Sequence, residues 1–374
     1  MPREASIICS ASLQQEDQKL SNALFGSALI VTLVAGALSL VPLIQSNYWW
    51  IRVLDIARLH LLLVLIVASA ALLYSPRRPL AWAVLALALP AMLYNAFYLI
   101  PYLPFRQEAG AVASECPKES RMRVLVANVN GRLESADELL RIVRGYDPDL
   151  FLAVETNQWW DEQLAALKPR FTDAVQQVAG SRANFGIHLF TNFPLVESEI
   201  LFPVDNRVPA IRARLSMRDG ETVSFYGLHP RPPRPFHSSA TRDAQLMLAA
   251  KAARESAEAM VVAGDFNAVP WEPVFRRTLR IGGLYDPRLG RGYLATYNAQ
   301  MPIFYWPIDH VLITEELGIL GFARGPAFGS DHWPVVADLC RRPGLARARV
   351  APPLEPDDLE AAESAIRSAT SNAD

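Results

Sequence analysis

Met260-Val261-Val262-Ala263-Gly264-Asp265-Phe266-Asn267 is the stretch on which the reading of this chain turns. Four apolar residues too few for a helix make a short buried strand, and polar groups follow at once. Alone, a Gly-Asp pair reads as a turn cap. The same arrangement recurs along the chain, however. Residues 124–127 run into Asn128-Val129-Asn130, and residues 150–154 end at Glu155. Residues 223–228 end at His229, and the strand at 308–313 has Asp309 and His310 at its start. Gly329-Ser330-Asp331-His332 immediately precedes a strand at 334–339.

Around these ends the texture is mixed. Strands are expected at 123–129, 186–191, 208–216 and 222–228, and helices at 135–145 and 240–256. Ser135 with Glu138 three residues on is a capping-box pattern, with Ser135 as the expected N-cap. Such a mixture predicts an α/β sandwich with sheets inside and helices outside. Sheet ends on one rim would then gather carboxylates, amides and histidines, a hard-oxygen metal site with acid–base groups around it.

These motifs in this order resemble the endonuclease/exonuclease/phosphatase superfamily, the fold of deoxyribonuclease I, over residues 121–340. The closest matches are Gly264-Asp265-Phe266-Asn267, Ile308-Asp309-His310 and Ser330-Asp331-His332. The resemblance implies a four-layered α/β sandwich, a phosphate-ester substrate (lipid head group, nucleic acid or small phosphoester) and Mg²⁺ or Mn²⁺. It assigns metal binding to Glu155, Asn128, Asn130 and Asp331. Asp265 would orient or deprotonate the attacking water, and Asn267 would donate to the phosphoryl oxygen. His332 would contact the scissile phosphate with Asp309 holding its ring, and His229 would lie near the leaving group. The chain departs from the family in having Ala127 where many relatives have Trp, and Asn130 where some have Asp. In the resembled fold the first and last strands are antiparallel neighbours, so Cys116 and Cys340 leave from the same end. They are either a disulfide or two free thiols.

Other side chains are open to two readings. Arg207 and Arg231 are candidates for substrate phosphate, since a guanidinium fork binds two oxygens, or are solvated charges. Trp271, Trp306 and Trp333 line the cleft or pack. His310 is expected to be structural, because it faces away from Asp309 on its strand. His188 and His237 are read as surface or packing residues.

The first quarter differs from the rest. Residues 24–44, 56–74 and 80–100 are apolar runs, read as three transmembrane helices in a lipid bilayer within 24–104. Residues 1–23 are an expected tail, 105–120 a linker, 121–341 the catalytic domain and 342–374 a disordered tail with at most a weak helix at 358–369. With Arg3, Lys19, Arg77 and Arg78 inside and Arg52, Arg58 and Arg106 outside, the domain faces the periplasm or the extracellular side. A net charge of −2 over 374 residues, and near-equal acids and bases over 121–340, argue against a long nucleic-acid footprint. No obligate protein partner is evident. The alternative function is a membrane-tethered scaffold that keeps the fold without catalysis.

Overall fold

The computed structural model describes residues 2–44, 46–74, 78–105, 116–179, 185–301, 303–341 and 351–371. Arg77, Arg106, residues 106–115 of the expected linker and residues 342–350 of the expected tail lie outside them. The chain divides into two units, one of residues 1–46 and 50–101 and the other of 47–49 and 102–374.

The first unit is helical: α1 (Pro2–Leu40), α2 (Trp49–Ile56), α3 (Arg58–Leu73) and α4 (Arg78–Leu99). The tail expected at 1–23 is instead helical from Pro2. Two helical stretches, Gln15–Leu43 and Arg78–Tyr102, are long and apolar enough to cross a membrane. The third expected span does not form one straight helix. With 16 residues, α3 reaches about 24 Å at 1.5 Å per residue, short of a hydrocarbon core of about 30 Å. It becomes a candidate only when joined to α2, from which it is bent by 64°. Buried polar groups tie these helices together. Asp55 pairs with Arg52 at 3.0 Å and with Arg58 at 2.6 Å. Arg58 also reaches Asn95 at 3.4 Å, and Asn95 donates to Ser39 at 2.9 Å.

The second unit holds two sheets. Their strands are β1 (Arg121–Asn128), β2 (Leu150–Thr156), β3 (Asp173–Gln177), β4 (Gly186–Thr191), β5 (Leu195–Leu201), β6 (Ala210–Ser216), β7 (Thr222–Leu228), β8 (Ala259–Asp265), β9 (Asp309–Ile313), β10 (Leu317–Arg324) and β11 (Val335–Arg341). One sheet has the order β10-β11-β1-β2-β4-β3, the other β5-β6-β7-β8-β9. The helices are α5 (Asp137–Tyr146), α6 (Gln158–Leu164), α7 (Ala240–Glu255), α8 (Pro273–Gly282) and α9 (Asp358–Thr370).

Successive strand residues point to opposite faces, and here both faces are covered. Val124 and Val126 of β1 enter the core between the sheets with Val261 and Ala263 of β8. Leu125 and Ala127 pack on the other side with Leu139 and Val143 of α5. Met260 and Val262 face Leu246 and Ala250 of α7. Three cores between four layers are the expected sandwich.

Strand direction brings the motifs together. β1 is parallel to β2, and β7 to β8, so their C-terminal ends emerge on common edges. β9 runs antiparallel to β8 with Asp309 opposite Asp265, and β11 antiparallel to β1. The starts of β9 and β11 therefore meet the ends of the parallel pairs. Gly264, at φ +145°, sits where a Cβ would strike the carbonyl oxygen of Leu228, so only glycine lets β7 and β8 stay paired up to the rim.

Two local expectations are corrected and one left open is resolved. The N-cap of α5 is Ala136, which makes no side-chain cap; it is buried in the core, and the helix starts beyond Ser135. Residues 358–370 are a docked helix, not a weak one in a disordered tail. Asp358 binds Arg277 at 3.2 Å and Arg280 at 2.7 Å, while Ala362 joins the core beside α7. Cys116 and Cys340 form a disulfide, with Cα atoms 6.1 Å apart.

Candidate active site

Asn128, at the end of β1, is fully buried and central. Its Nδ2 donates to Glu155 Oε1 at 3.0 Å and to Asp265 Oδ2 at 2.9 Å. Its Oδ1 accepts from the backbone N–H of Asn130 at 3.0 Å. One neutral amide thus joins two carboxylates from different sheets. Asn130 donates from Nδ2 to Asp331 Oδ1 at 3.0 Å. Asn130, Glu155 and Asn267 have φ of 52°, 61° and 50°, the left-handed region that side chains rarely adopt. Three such residues on one rim mark locally strained turns, of the kind that clusters at functional sites.

His229 lies 3.7 Å from Glu155 Oε1 and 3.6 Å from Asp265 Oδ2 through Nε2. Both its ring nitrogens are buried without a hydrogen-bond partner among the described residues. Burial lowers its pKa, only partly opposed by Glu155. Opposite, His332 Nδ1 meets Asp309 Oδ2 at 2.8 Å, and its Nε2 lies 3.8 Å from Asp265 Oδ2. Burial works against the charged ring, but Asp309 and Asp265 outweigh it and raise the pKa to about 10. Asp265 is pushed up, first by burial and then by the charge of Asp309.

Metal-binding geometry falls in two sets. Glu155, His229 and Asp265 place one ligand atom each within 4.8 Å of one another, and so do Asp265, Asp309 and His332. The first set suits a divalent cation: two carboxylates supply hard oxygens, and an orphaned neutral imidazole faces them. Asp331 is in neither set, and its Oδ1 accepts from the Asn130 amide.

Asn267 Nδ2 donates to Pro230 O at 3.0 Å, and its backbone N–H donates to Asp265 Oδ1 at 2.9 Å. Its own carbonyl accepts from Arg242 Nη1 of α7 at 2.7 Å. Arg242 is fully buried and also binds Glu272 at 2.7 Å, so α7 holds the Asn267 turn from behind. Arg231 and Arg207 meet at Asp205, at 2.8 and 3.2 Å, and not at the carboxylate cluster. Arg231 is linked to the site through Phe185, over which its guanidinium lies at 4.7 Å. Phe185 in turn lies 5.7 Å from the His229 ring.

Of the tryptophans, Trp271 is buried, Trp333 lies under Arg324 and Trp306 stacks on Tyr297. His188 is buried and bonded to Thr156 and Asp161. His310 is buried between Arg288 and the Ala268 carbonyl, a structural role as expected.

Tyr297 was not legible as a site residue. Its ring lies 4.8 Å from that of His332, and burial followed by Asp331 and Asp265 raises its pKa. Neighbouring Thr296 accepts from the backbone N–H groups of Ile308 and Asp309 at 3.1 and 3.0 Å, which places Asp309. No strand period marks this segment; only its pairing with Trp306 and His332 does.

The Endonuclease/Exonuclease/phosphatase family profile matches residues 125–332, the stretch that carries every strand end described above. The chain belongs to this family. No curated protein matches it. D. rerio TDP2 complexed with a single-strand DNA product is similar at 18% identity and a TM-score of 0.51, covering 59% of this chain and 99% of that one. Humanized D. rerio TDP2 is similar at 18% identity and a TM-score of 0.50, with the same coverage. A Beutenbergia cavernae endonuclease/exonuclease/phosphatase is 19% identical with a TM-score of 0.47, covering 60% of this chain and 72% of that one.

Proposed function

We propose that this chain is a membrane-anchored phosphoesterase that depends on a divalent metal, Mg²⁺ or Mn²⁺, and hydrolyses a phosphate ester by in-line attack of water. The observation that carries this reading is the cluster of half-buried Glu155 with buried His229 and Asp265 beside the His332–Asp309 pair.

Glu155 is the principal metal holder in this reading, with Asn128, Asn130 and Asp331 around it and the Asp265 carboxylate adjacent. When bound, the cation supplies positive charge that offsets the anionic phosphate. Asp265, its pKa raised, accepts the proton of the attacking water. Asn267 spends one amide N–H on Pro230, leaving the other for a phosphoryl oxygen. His332, kept cationic by Asp309, attracts the phosphate. His229 is neutral and stands near the leaving group. Arg231 extends the positive rim, and Arg207 supports it through Asp205.

The membrane anchor rests on Gln15–Leu43 and Arg78–Tyr102, with the bent α2–α3 pair as a third crossing. The Cys116–Cys340 disulfide suits an oxidising compartment and favours a catalytic domain in the periplasm or outside the cell.

The test is hydrolysis by the full chain in detergent, with Mg²⁺, Mn²⁺ or EDTA, on bis-(p-nitrophenyl) phosphate, plasmid DNA, RNA and a phosphoinositide. Metal-dependent turnover that Asp265→Ala and His332→Ala both abolish supports the enzyme. A folded chain that turns over none of them points to the tethered scaffold.

A further inference from the structure

Residues 297–301 and 303–306 form the two arms of a hairpin beside the reacting centre. At its base Tyr297 N–H donates to Trp306 O at 2.9 Å, and the Tyr297 ring faces His332. Ala299 N–H donates to Asp331 O at 2.7 Å, and Gln300 Nε2 to Gly329 O at 3.3 Å. The hairpin is therefore fastened to the segment that carries Asp331 and His332. Its tip is apolar: Met301, Ile303 and Phe304 are 46%, 67% and 47% exposed.

Clustered large apolar side chains beside a polar site mark an interaction surface rather than ordinary scatter. Three observations favour a lipid surface. The chain itself carries helices long and apolar enough to cross a membrane, so connectivity keeps the domain near a bilayer. Asn298 N–H donates across the hairpin to Phe304 O at 3.4 Å, and the 297–306 pairing closes the base, so these backbone groups are satisfied within the hairpin when the tip leaves water. The domain has near-equal acids and bases, which disfavours a nucleic-acid track.

We propose that this hairpin is a lip whose Met301, Ile303 and Phe304 insert into a lipid surface, and that the substrates of the adjacent site are phosphate esters borne on bilayer lipids. This rests on the phosphoesterase reading above and names its substrate class. The inserted side chains anchor the rim at the depth of the head groups, and the phosphate reaches His332 and Asp331 without the lipid leaving the bilayer.

The test uses the full chain reconstituted in phosphatidylcholine vesicles that contain a phosphoinositide, compared with soluble bis-(p-nitrophenyl) phosphate. Ile303→Asp with Phe304→Asp is expected to lower vesicle-substrate turnover roughly tenfold or more while soluble turnover stays within about twofold. In a Cys9→Ser background, an environment-sensitive dye on Ile303→Cys is expected to shift blue and be quenched by brominated lipid. An unquenched dye, or equal losses on both substrates, overturns the lip while leaving the phosphoesterase intact. A selective loss on plasmid DNA overturns it in favour of a nucleic-acid contact. No turnover on either ester by the native chain sinks the phosphoesterase reading and the substrate assignment with it.

Discussion

His332 and Asp309, 23 residues apart, meet through Nδ1 and Oδ2 at 2.8 Å with both side chains buried. Burial alone would discharge the imidazole; the carboxylates of Asp309 and Asp265 reverse that and hold it charged to about pH 10. Asp309→Asn removes the nearest of these charges, so the His332 pKa must fall. The alkaline limb of kcat/KM is expected to lie near pH 10 in the native chain and at least about one unit lower in the variant. A pH–rate profile checks this. Coincident limbs would mean that the His332 charge plays no part in the reaction.

The same shift has a stability consequence. A histidine whose folded pKa is raised contributes stability that is complete below its unfolded pKa and lost as pH climbs through the folded one. Thermal melting of the metal-free chain is therefore expected to show a decline between about pH 6.5 and 10 that His332→Gln flattens.

Asn128 is the sole amide bridging Glu155 and Asp265 among the described contacts. Asn128→Ala leaves two neighbouring carboxylates without their shared donor. Metal affinity is expected to fall roughly 10–100-fold, as for other residues that orient ligands. Titration of turnover with Mg²⁺ reads the midpoint. An unchanged midpoint would reduce Asn128 to a packing residue.

Arg242 is buried against Glu272 and holds the carbonyl of Asn267. Glu272 is one of two carboxylates on Arg242, with Asp243 at 2.7 Å the other, so removing it leaves a buried charge only partly compensated, at a cost of up to about 3–5 kcal/mol. Glu272→Ala is expected to lower the melting temperature strongly. The milder Glu272→Gln, which keeps a hydrogen bond, should lower kcat more than it lowers stability. Paired melting and kinetic measurements separate the two effects, and equal losses would argue against a positioning role.

Cys116 and Cys340 close a loop with a sequence separation of 224, leaving Cys9 outside the pair. Thiol labelling of the denatured chain is expected to find one thiol before reduction and three after it. Reduction should destabilise the domain by about 2–5 kcal/mol. Three thiols in protein prepared under oxidising conditions would refute the bond.

Much of the candidate site was legible because its residues sit where apolar runs stop. β4 and β7 were read to the residue, and Asp265, Asn267, Asp309 and His332 followed from their motifs. β5 is broken by Glu197, Ser198 and Glu199 and β10 by Gly318 and Gly321, and both escaped notice, as did Tyr297 on its hairpin. The middle helix was misjudged for a related reason. Hydropathy records composition, and residues 56–74 are apolar, but hydropathy does not report the 64° bend at the junction of α2 and α3. The C-terminal helix looked weak because its anchor is one buried carboxylate, Asp358, whose arginine partners lie 78 and 81 residues away.

By itself the sequence determined the order of the strands' polar ends, the chemistry available at them and the apolar character of the first hundred residues. These are local properties, set by side-chain period and composition. Only the tertiary structure decided which groups share a proton or a ligand position. Asn128 reaches Asp265 across 137 residues, and Tyr297 meets His332, because parallel and antiparallel pairing brings particular strand ends to one rim. The pKa values of Asp265 and His332 likewise belong to that packing, since burial and neighbouring charge, not residue type, move them.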